Sequence, residues 1–476
     1  MKFLASTVLA LLLIGAAPPA PPPPPTVGVT IASPHRTDAV LPGHLLDTAT
    51  PKDADGRRRL LALTTPDDPK ATKDPEGPRA LYLIDSQKAG APRRLLDGLP
   101  AKSNALDAFD LDGDGAEEIL LGEPGKLWTL GSPDAPAAPR LLLEASGLDL
   151  RRDHRGRFQA VEAGRLRTWK LDGGRLVPGP EQALPVHADR DGQFLRLWSL
   201  PVTAVGDLQA IGPEENGKVR LRTLLLGTDG QRTETWSQLP GREKVDGFRY
   251  VTLDGRPALI VTTTDADKIG IFAKQRFRLF LLGADRTRAG RSPSLAFETE
   301  SHRWFPVEPV LLDLDKDGRQ DLVVFQPEGL GGGDFMIDTF LGQGNGRFEK
   351  PRRLKLNDLE ARAWRYGEDL TGDGIADLVT ISKTGLRVFA GIGGADPRKD
   401  LLDRRPRQTV DLGGAQEEIS VSMGIGTGGA SMESSRSGTL GGPQVVDLDG
   451  DGRPEVLLAS PNAGGRGRVM VVRLDR

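Results

Sequence analysis

Asp110-Leu-Asp-Gly-Asp-Gly-Ala-Glu-Glu118 runs directly into Ile-Leu-Leu-Gly, and the same arrangement recurs three more times. The other copies are Asp313-Leu-Asp-Lys-Asp-Gly-Arg-Gln-Asp321, Asp369-Leu-Thr-Gly-Asp-Gly-Ile-Ala-Asp377 and Asp447-Leu-Asp-Gly-Asp-Gly-Arg-Pro-Glu455, followed by Leu-Val-Val-Phe, Leu-Val-Thr-Ile and Val-Leu-Leu-Ala. The shared pattern, D-x-[DT]-x-D-G-x-x-[DE], places hard oxygen donors at alternate positions, as a calcium ion requires. The glycine at position 6 permits the sharp turn that gathers those oxygens.

An EF-hand opens the same way, but it needs a bidentate Glu at position 12 and a helix on each side. Position 12 here is Leu121, Val324, Thr380 or Leu458, each inside a β-prone run, and the last acid falls at position 9 instead. Dockerin-type loops are excluded on the same ground. The expectation is a strand-loop-strand site.

Composition agrees. Gly (59) and Pro (37) are abundant and amphipathic helical spacing is scarce, which points to many short strands joined by turns. A net charge of −3 leaves no nucleic-acid footprint. Residues 1–17 (Lys2, an apolar run from Phe3 to Gly15, then Ala16-Ala17) read as a signal peptide, with an uncleaved anchor as the alternative. Residues 18–25 form a Pro-rich spacer, leaving residues 26–476 as the mature body, periplasmic or extracellular. The absence of cysteine excludes disulfides and a lipoprotein anchor, so bound calcium is a natural source of rigidity. No second long apolar run follows, so no stable membrane insertion of the mature chain is expected.

Behind each acidic loop the same order of strands and turns returns. Degenerate copies near Asp53, Asp149, Asp189 and Asp254 fill the intervals, giving eight candidate units over residues 44–476. At roughly 54 residues per unit, the spacing is that of propeller blades. The expected fold is all-β, a single β-propeller of about eight four-stranded blades, with seven as the alternative count. The last unit, from Gln444, runs out at Arg476 before a fourth strand, and Thr26 to Ala32 is a spare strand able to complete it. An open β-solenoid or a pair of β-sandwiches are the competing architectures.

These loops and their following strands resemble the FG-GAP/VCBS repeat family, whose propeller repeats also build integrin α-chain heads. The resemblance implies an acidic loop between the first two strands of a blade, holding calcium on one rim. Carried over, positions 1, 3, 5 and 9 give side-chain oxygens and position 7 a backbone carbonyl. The implied ligands are Asp110, Asp112, Asp114, Ala116 and Glu118; Asp313, Asp315, Asp317, Arg319 and Asp321; Asp369, Thr371, Asp373, Ile375 and Asp377; and Asp447, Asp449, Asp451, Arg453 and Glu455. Thr371 replaces an acid, so the third site should be the weakest of about three to four Ca2+ sites. Pro51 and Arg59 stand at positions 1 and 9 of the copy around Asp53, where no ion is expected.

No catalytic motif accompanies these loops. The five histidines, His35, His44, His154, His187 and His302, are too scattered for H-E-x-x-H, and no G-x-S-x-G elbow occurs. Two glycine-rich stretches, from Gly329 to Asp334 and from Gly424 to Ser431, lack a phosphate-loop ending. The stretch from Gly424 to Gly441 is a candidate partner contact. The six tryptophans fall in or beside strands, where packing between blades is the default. The expected function is a secreted, monomeric calcium-binding scaffold for a protein or glycan ligand. A propeller-framed polysaccharide lyase or hydrolase and a purely structural envelope component are the alternatives.

Overall fold

The computed structural model describes residues 28–474 apart from 34, 66–77, 145–150, 153–157, 163–164, 173–174, 180–181, 184–195, 200–203, 214–218, 228–231, 240–242, 254–255, 266–274, 284–293, 302–307, 329–333, 345, 358–362, 383–384, 394–400, 414–442 and 464–465. The leader, the Pro-rich spacer, the residues from Gly424 to Gly441, most of the first glycine-rich stretch, Trp304 and three histidines (His154, His187 and His302) lie outside the described residues.

The described residues form antiparallel sheets, and none of them is helical. Successive chain segments each build a sheet of four strands in up-and-down order, except that the third adds a fifth short strand, Gln182–Ala183, paired with Arg165–Asp172. The first pairs His44–Ala49, Leu60–Thr65, Arg79–Ile84 and Arg93–Leu99. The second pairs Ala105–Phe109, Glu118–Glu123, Lys126–Thr129 and Arg140–Glu144. A third sheet spans Arg151–Arg152 to Gln182–Ala183, a fourth Arg196–Ser199 to Arg232–Leu239, and a fifth Glu243–Leu253 to Ser294–Ser301. The sixth runs from Glu308–Leu312 to Arg352–Asn357, with a small hairpin before its last strand, and the seventh from Ala363–Glu368 to Gln408–Val410.

The eighth sheet joins the two ends of the described chain. Gln444–Val446, Glu455–Ala463 and Arg466–Val472 are followed by Arg36–Val40 and then Gly28–Ser33. Thus the strand expected at Thr26 to Ala32 is not the one that pairs with the C-terminal strand. Arg36–Val40 takes that place, with Val40 opposite Arg468 and Arg36 opposite Val472, and Gly28–Ser33 becomes a fifth strand outside it. The reason is packing. Ala39 is buried against the first sheet, and Thr37 donates its hydroxyl hydrogen to the Ser86 carbonyl at 2.9 Å.

Continuous apolar runs mark the second strands because both of their faces are covered. Ile119 and Leu121 turn toward Leu61 and Leu63 of the first sheet, whereas Leu120 turns toward Leu127 and Trp169 on the other side. This is the two-residue alternation of a strand, with apolar partners on both faces. Equivalent cores separate the fifth and sixth, sixth and seventh, and seventh and eighth sheets. One further core packs Leu457, Val469 and Val471 of the eighth sheet against Leu45, Leu60 and Tyr82 of the first. Trp128, Trp169 and Trp364 all lie within such cores or against them, in the packing role expected of them.

The degenerate copies do not all sit where the complete loops do. Behind the copy near Asp189, which lies outside the described residues, Phe194 to Leu200 reads as a strand in the sequence; Arg196–Ser199 is a strand there, but it is the first of its sheet and Ala204–Pro213 the second, whereas a complete loop precedes a second strand. The strand expected at Ala258 to Thr262, behind the degenerate copy Leu253-Asp-Gly-Arg-Pro257, lies within Arg256–Asp265, the second strand of its sheet; residues 254–255 are outside the described residues.

The seam between the eighth and first sheets is closed by backbone. Leu41 N–H donates to the Gly467 carbonyl at 2.9 Å and Gly467 N–H to the Gly43 carbonyl at 2.6 Å. A Cβ on Gly467 would stand 2.6 Å from both the backbone nitrogen and the Cβ of Leu45. Gly467→Ala should therefore force the sheets apart at a cost of about 1–3 kcal/mol. Thermal unfolding should show a midpoint several degrees lower; an unchanged midpoint would mean that this contact is absent in solution.

Candidate metal centre

Each complete loop connects the first and second strands of a sheet: the second, sixth, seventh and eighth. The aspartate at position 1 organises it. Asp110 Oδ1 accepts the Gly113 N–H at 2.6 Å and its Oδ2 the Gly115 N–H at 3.0 Å; Asp369 and Asp447 hold Gly372, Gly374, Gly450 and Gly452 in the same way. At position 5, Asp114, Asp317, Asp373 and Asp451 each accept the N–H of position 7 at 2.8 Å. These local bonds are the turn-forming habit of aspartate, which can satisfy nearby backbone donors without a regular ladder.

Positions 4 and 6 require left-handed backbone. Gly113 and Gly115 have φ of 82° and 93°, and the glycine is repeated at position 4 in the third and fourth loops. The second loop instead has Lys316, with φ of 61°, the one non-glycine described residue at positive φ. Its Nζ reaches toward Gly374 of the third loop, 2.8 Å from where a Cβ would stand.

Position 9 has a role that the sequence reading missed. In every complete loop its carboxylate accepts the N–H of position 2, drawing the loop closed. The pairs are Leu111–Glu118 at 2.6 Å, Leu314–Asp321 at 2.8 Å, Leu370–Asp377 at 2.7 Å and Leu448–Glu455 at 2.9 Å. Where the acid is aspartate, its second oxygen also accepts a glycine N–H from beyond the third strand: Gly342 at 2.7 Å for Asp321 and Gly391 at 2.8 Å for Asp377. A Cβ at Gly342 or Gly391 would lie 2.3 Å or 2.4 Å from a loop carbonyl, so only glycine permits this approach. The recurrence Phe340-Leu-Gly and Phe389-Ala-Gly was the available sequence signal.

Three of the four loops bring carboxylate oxygens within 4.8 Å of one another: Asp110, Asp112 and Glu118; Asp313, Asp315 and Asp321; Asp447, Asp449 and Asp451. Asp114, Asp317 and Glu455 stand outside these triads, so the structure assembles three of the four expected acids in each. The third loop forms no such triad, because position 3 is Thr371. That hydroxyl is buried, and its Oγ1 has no hydrogen-bond partner. Oxygen-only donors, crowded like charges and a buried orphan oxygen at a loop position that elsewhere carries an acid all fit a hard divalent cation.

Electrostatics points the same way. Burial, reinforced by the neighbouring aspartates, raises the Asp321 carboxyl to about 6 and Glu455 to about 7, although their backbone hydrogen bonds oppose the shift; Glu118 and Asp377 are also raised. A carboxyl raised in the folded state binds protons that the unfolded state releases, so metal-free stability falls as pH rises from about 4 through about 7. A cation reverses this by favouring the ionised form. The stability gained from calcium should therefore shrink as pH is lowered from 8 to 5. Unfolding midpoints measured with and without calcium across that range test this directly, and a gap independent of pH would contradict it.

An FG-GAP-like repeat model matches residues 313–380, which contain the second and third loops, and an FG-GAP repeat model matches residues 442–472, which contain the fourth. No curated protein matches the chain. Among solved structures, the S. cerevisiae core factor is 7% identical with a TM-score of 0.37, over 75% of this chain and 60% of the other. An Agrocybe aegerita lectin, described as recognising non-reducing terminal N-acetylglucosamine, is 14% identical with a TM-score of 0.33, over 74% and 78%. This chain thus spans about three fifths of the length of the yeast protein it was compared with.

Proposed function

Given that this chain carries FG-GAP repeats, we propose that it is an exported β-propeller of eight blades, stabilised by calcium and acting as a monomeric, non-catalytic binding scaffold for a protein or glycan. The observation that carries the reading is positional. The acidic loops recur at one place in the sheet, between first and second strands, and three of them converge carboxylate oxygens. Support for a closed ring comes from the core between the eighth and first sheets and from the pairing of Arg36–Val40 with Arg466–Val472.

In this reading calcium is held by Asp110, Asp112, Asp114 and Glu118 with the Ala116 carbonyl, and by the equivalent residues around Asp313, Asp369 and Asp447. Bound there, calcium supplies charge neutralisation and a fixed coordination shell, without redox or acid–base chemistry. The chain's own residues do the rest. Position 1 sets the turn, position 9 closes it, and the strand that follows is locked between two apolar cores. Rigid rims of this kind display connecting loops for recognition, which is where binding residues concentrate on repeat scaffolds. Export would place the protein where calcium is at millimolar levels, matched to the weak affinity of extracellular modules, about 10⁻⁴–10⁻³ M. No helix among the described residues is long and apolar enough to cross a membrane.

Equilibrium dialysis of residues 26–476 against calcium, with bound metal counted by atomic spectroscopy, tests the reading. Three to four ions per chain are expected, with one fewer in Asp112→Asn. Fewer than one ion per chain would remove calcium from the proposal. A glycan and protein binding screen run in calcium and in chelator then tests the scaffold role.

A further inference from the structure

The degenerate loop of the first sheet, residues 51–59, lies between His44–Ala49 and Leu60–Thr65, the place that the acidic loops occupy elsewhere. It keeps Asp53, Asp55 and Gly56 at positions 3, 5 and 6, and Gly56 has φ of 81°, the same value as Gly318. Position 9, however, is reversed in charge: it is Arg59. Asp53 is 1% exposed, and its Oδ1 accepts the Arg57 N–H at 2.8 Å. Its Oδ2 makes an ion pair with Arg59 Nη2 at 2.7 Å, oblique to a hydrogen-bond axis; Asp134 Oδ1 stands 3.6 Å from the same nitrogen. A carboxylate withdrawn from water needs a cation beside it, and here the chain supplies that cation itself. The backbone closes without an acid at position 9, through Asp53 N–H to the Arg57 carbonyl at 2.8 Å and Arg59 N–H to the Pro51 carbonyl at 2.8 Å.

This loop also touches two of the acidic loops. Lys52 and Glu117 exchange bonds, Lys52 N–H to Glu117 Oε2 at 2.9 Å and Glu117 N–H to the Lys52 carbonyl at 2.8 Å, with Arg58 Nη1 at 3.5 Å from the same carboxylate. On the other side, Arg58 N–H donates to the Leu448 carbonyl at 3.1 Å. Glu117 is position 8 of the loop at 110–118, and Leu448 is position 2 of the loop at 447–455, whose N–H is held by Glu455.

Resting on the calcium reading of the complete loops, we propose that the Arg59 guanidinium takes the place of the metal in the loop at 51–59. The loop is then fixed without calcium and acts as a strut that sets the acidic loops at 110–118 and 447–455. Loss of Arg59 weakens calcium binding at those two loops and leaves 313–321 and 369–377 unaffected, because among the described residues no hydrogen bond or ion pair joins either of them to the strut.

Hydrogen exchange followed by mass spectrometry on the full chain tests both halves, with peptides covering each loop read separately. In chelator, wild-type amides at 53–59 should exchange slowly, and Arg59→Gln should speed them by about tenfold or more. Across a calcium titration, Arg59→Gln should raise the calcium concentration needed to protect 110–118 and 447–455, with the midpoints for 313–321 and 369–377 unchanged. Arg59→Lys, which keeps the charge, should fall between the two and serves if Arg59→Gln does not fold. Calcium-dependent protection of 51–59 in the wild type would overturn the proposal, because that loop would then bind metal itself. An equal shift at all four acidic loops would overturn it as well, showing only general destabilisation. If calcium protected no loop, the calcium reading would fail, whereas the comparison in chelator would still decide the role of Arg59.

Discussion

Calcium added to the metal-free chain should raise its thermal unfolding midpoint by several degrees, while magnesium at the same concentration should do little. A ligand that binds only the folded state stabilises it by RT ln(1 + [L]/Kd), about 1.4 kcal/mol per site at tenfold excess. Three acidic triads together would then contribute about 4 kcal/mol, a large part of the roughly 5–15 kcal/mol by which a domain is stable. Magnesium is the informative control. It demands near-ideal octahedral geometry and sheds water reluctantly, whereas a loop of flexible carboxylates suits the larger ion. Calorimetric scans in chelator, in calcium and in magnesium decide the matter. Equal responses to both ions would indicate general screening of negative charge, and no response would remove the metal sites.

Asp321→Ala should destabilise the chain even in chelator, by about 2–6 kcal/mol, since two buried amides lose their acceptor at about 1–3 kcal/mol each. Those amides belong to Leu314 and Gly342, and Asp321 is 1% exposed. Asp317→Ala makes the contrast. Asp317 lies on the exposed side of the same loop, where it accepts the Arg319 N–H and pairs with the Arg319 side chain at 3.6 Å. Its loss should cost at most about 1 kcal/mol without metal, as exposed pairs do, and should lower the calcium response of the second loop. Chemical denaturation of both variants, in chelator and in calcium, separates closing the loop from binding the ion. If Asp321→Ala were no more harmful than Asp317→Ala in chelator, the loop-closing role of position 9 would be wrong.

Much of this architecture could be read in the chain because its signals are local. An acid at position 1, glycine at position 6 and a two-faced apolar strand directly after them are interactions within nine to thirteen residues, and they specify the turn and the strand together. Four of the units were visible for the same reason, because their loops are complete. The reading weakened where the loop decayed. Near Asp189, which lies outside the described residues, the strand that follows the acidic copy, Arg196–Ser199, begins a new sheet instead of continuing one.

Tertiary structure decided what depends on contacts distant in sequence. Which N-terminal strand pairs with Arg466–Val472 was settled by the burial of Ala39 and the Thr37 hydrogen bond against the first sheet, and both Thr26 to Ala32 and Arg36–Val40 have the composition of strands. Position 9 was legible as an acid, but not as the acceptor for a glycine up to 21 residues further on. Arg59 was legible as a missing ligand, but not as the cation for a buried aspartate six residues before it. Local bonds follow from neighbours in the chain and can be read from them, whereas the state of a buried charge depends on what folding brings beside it.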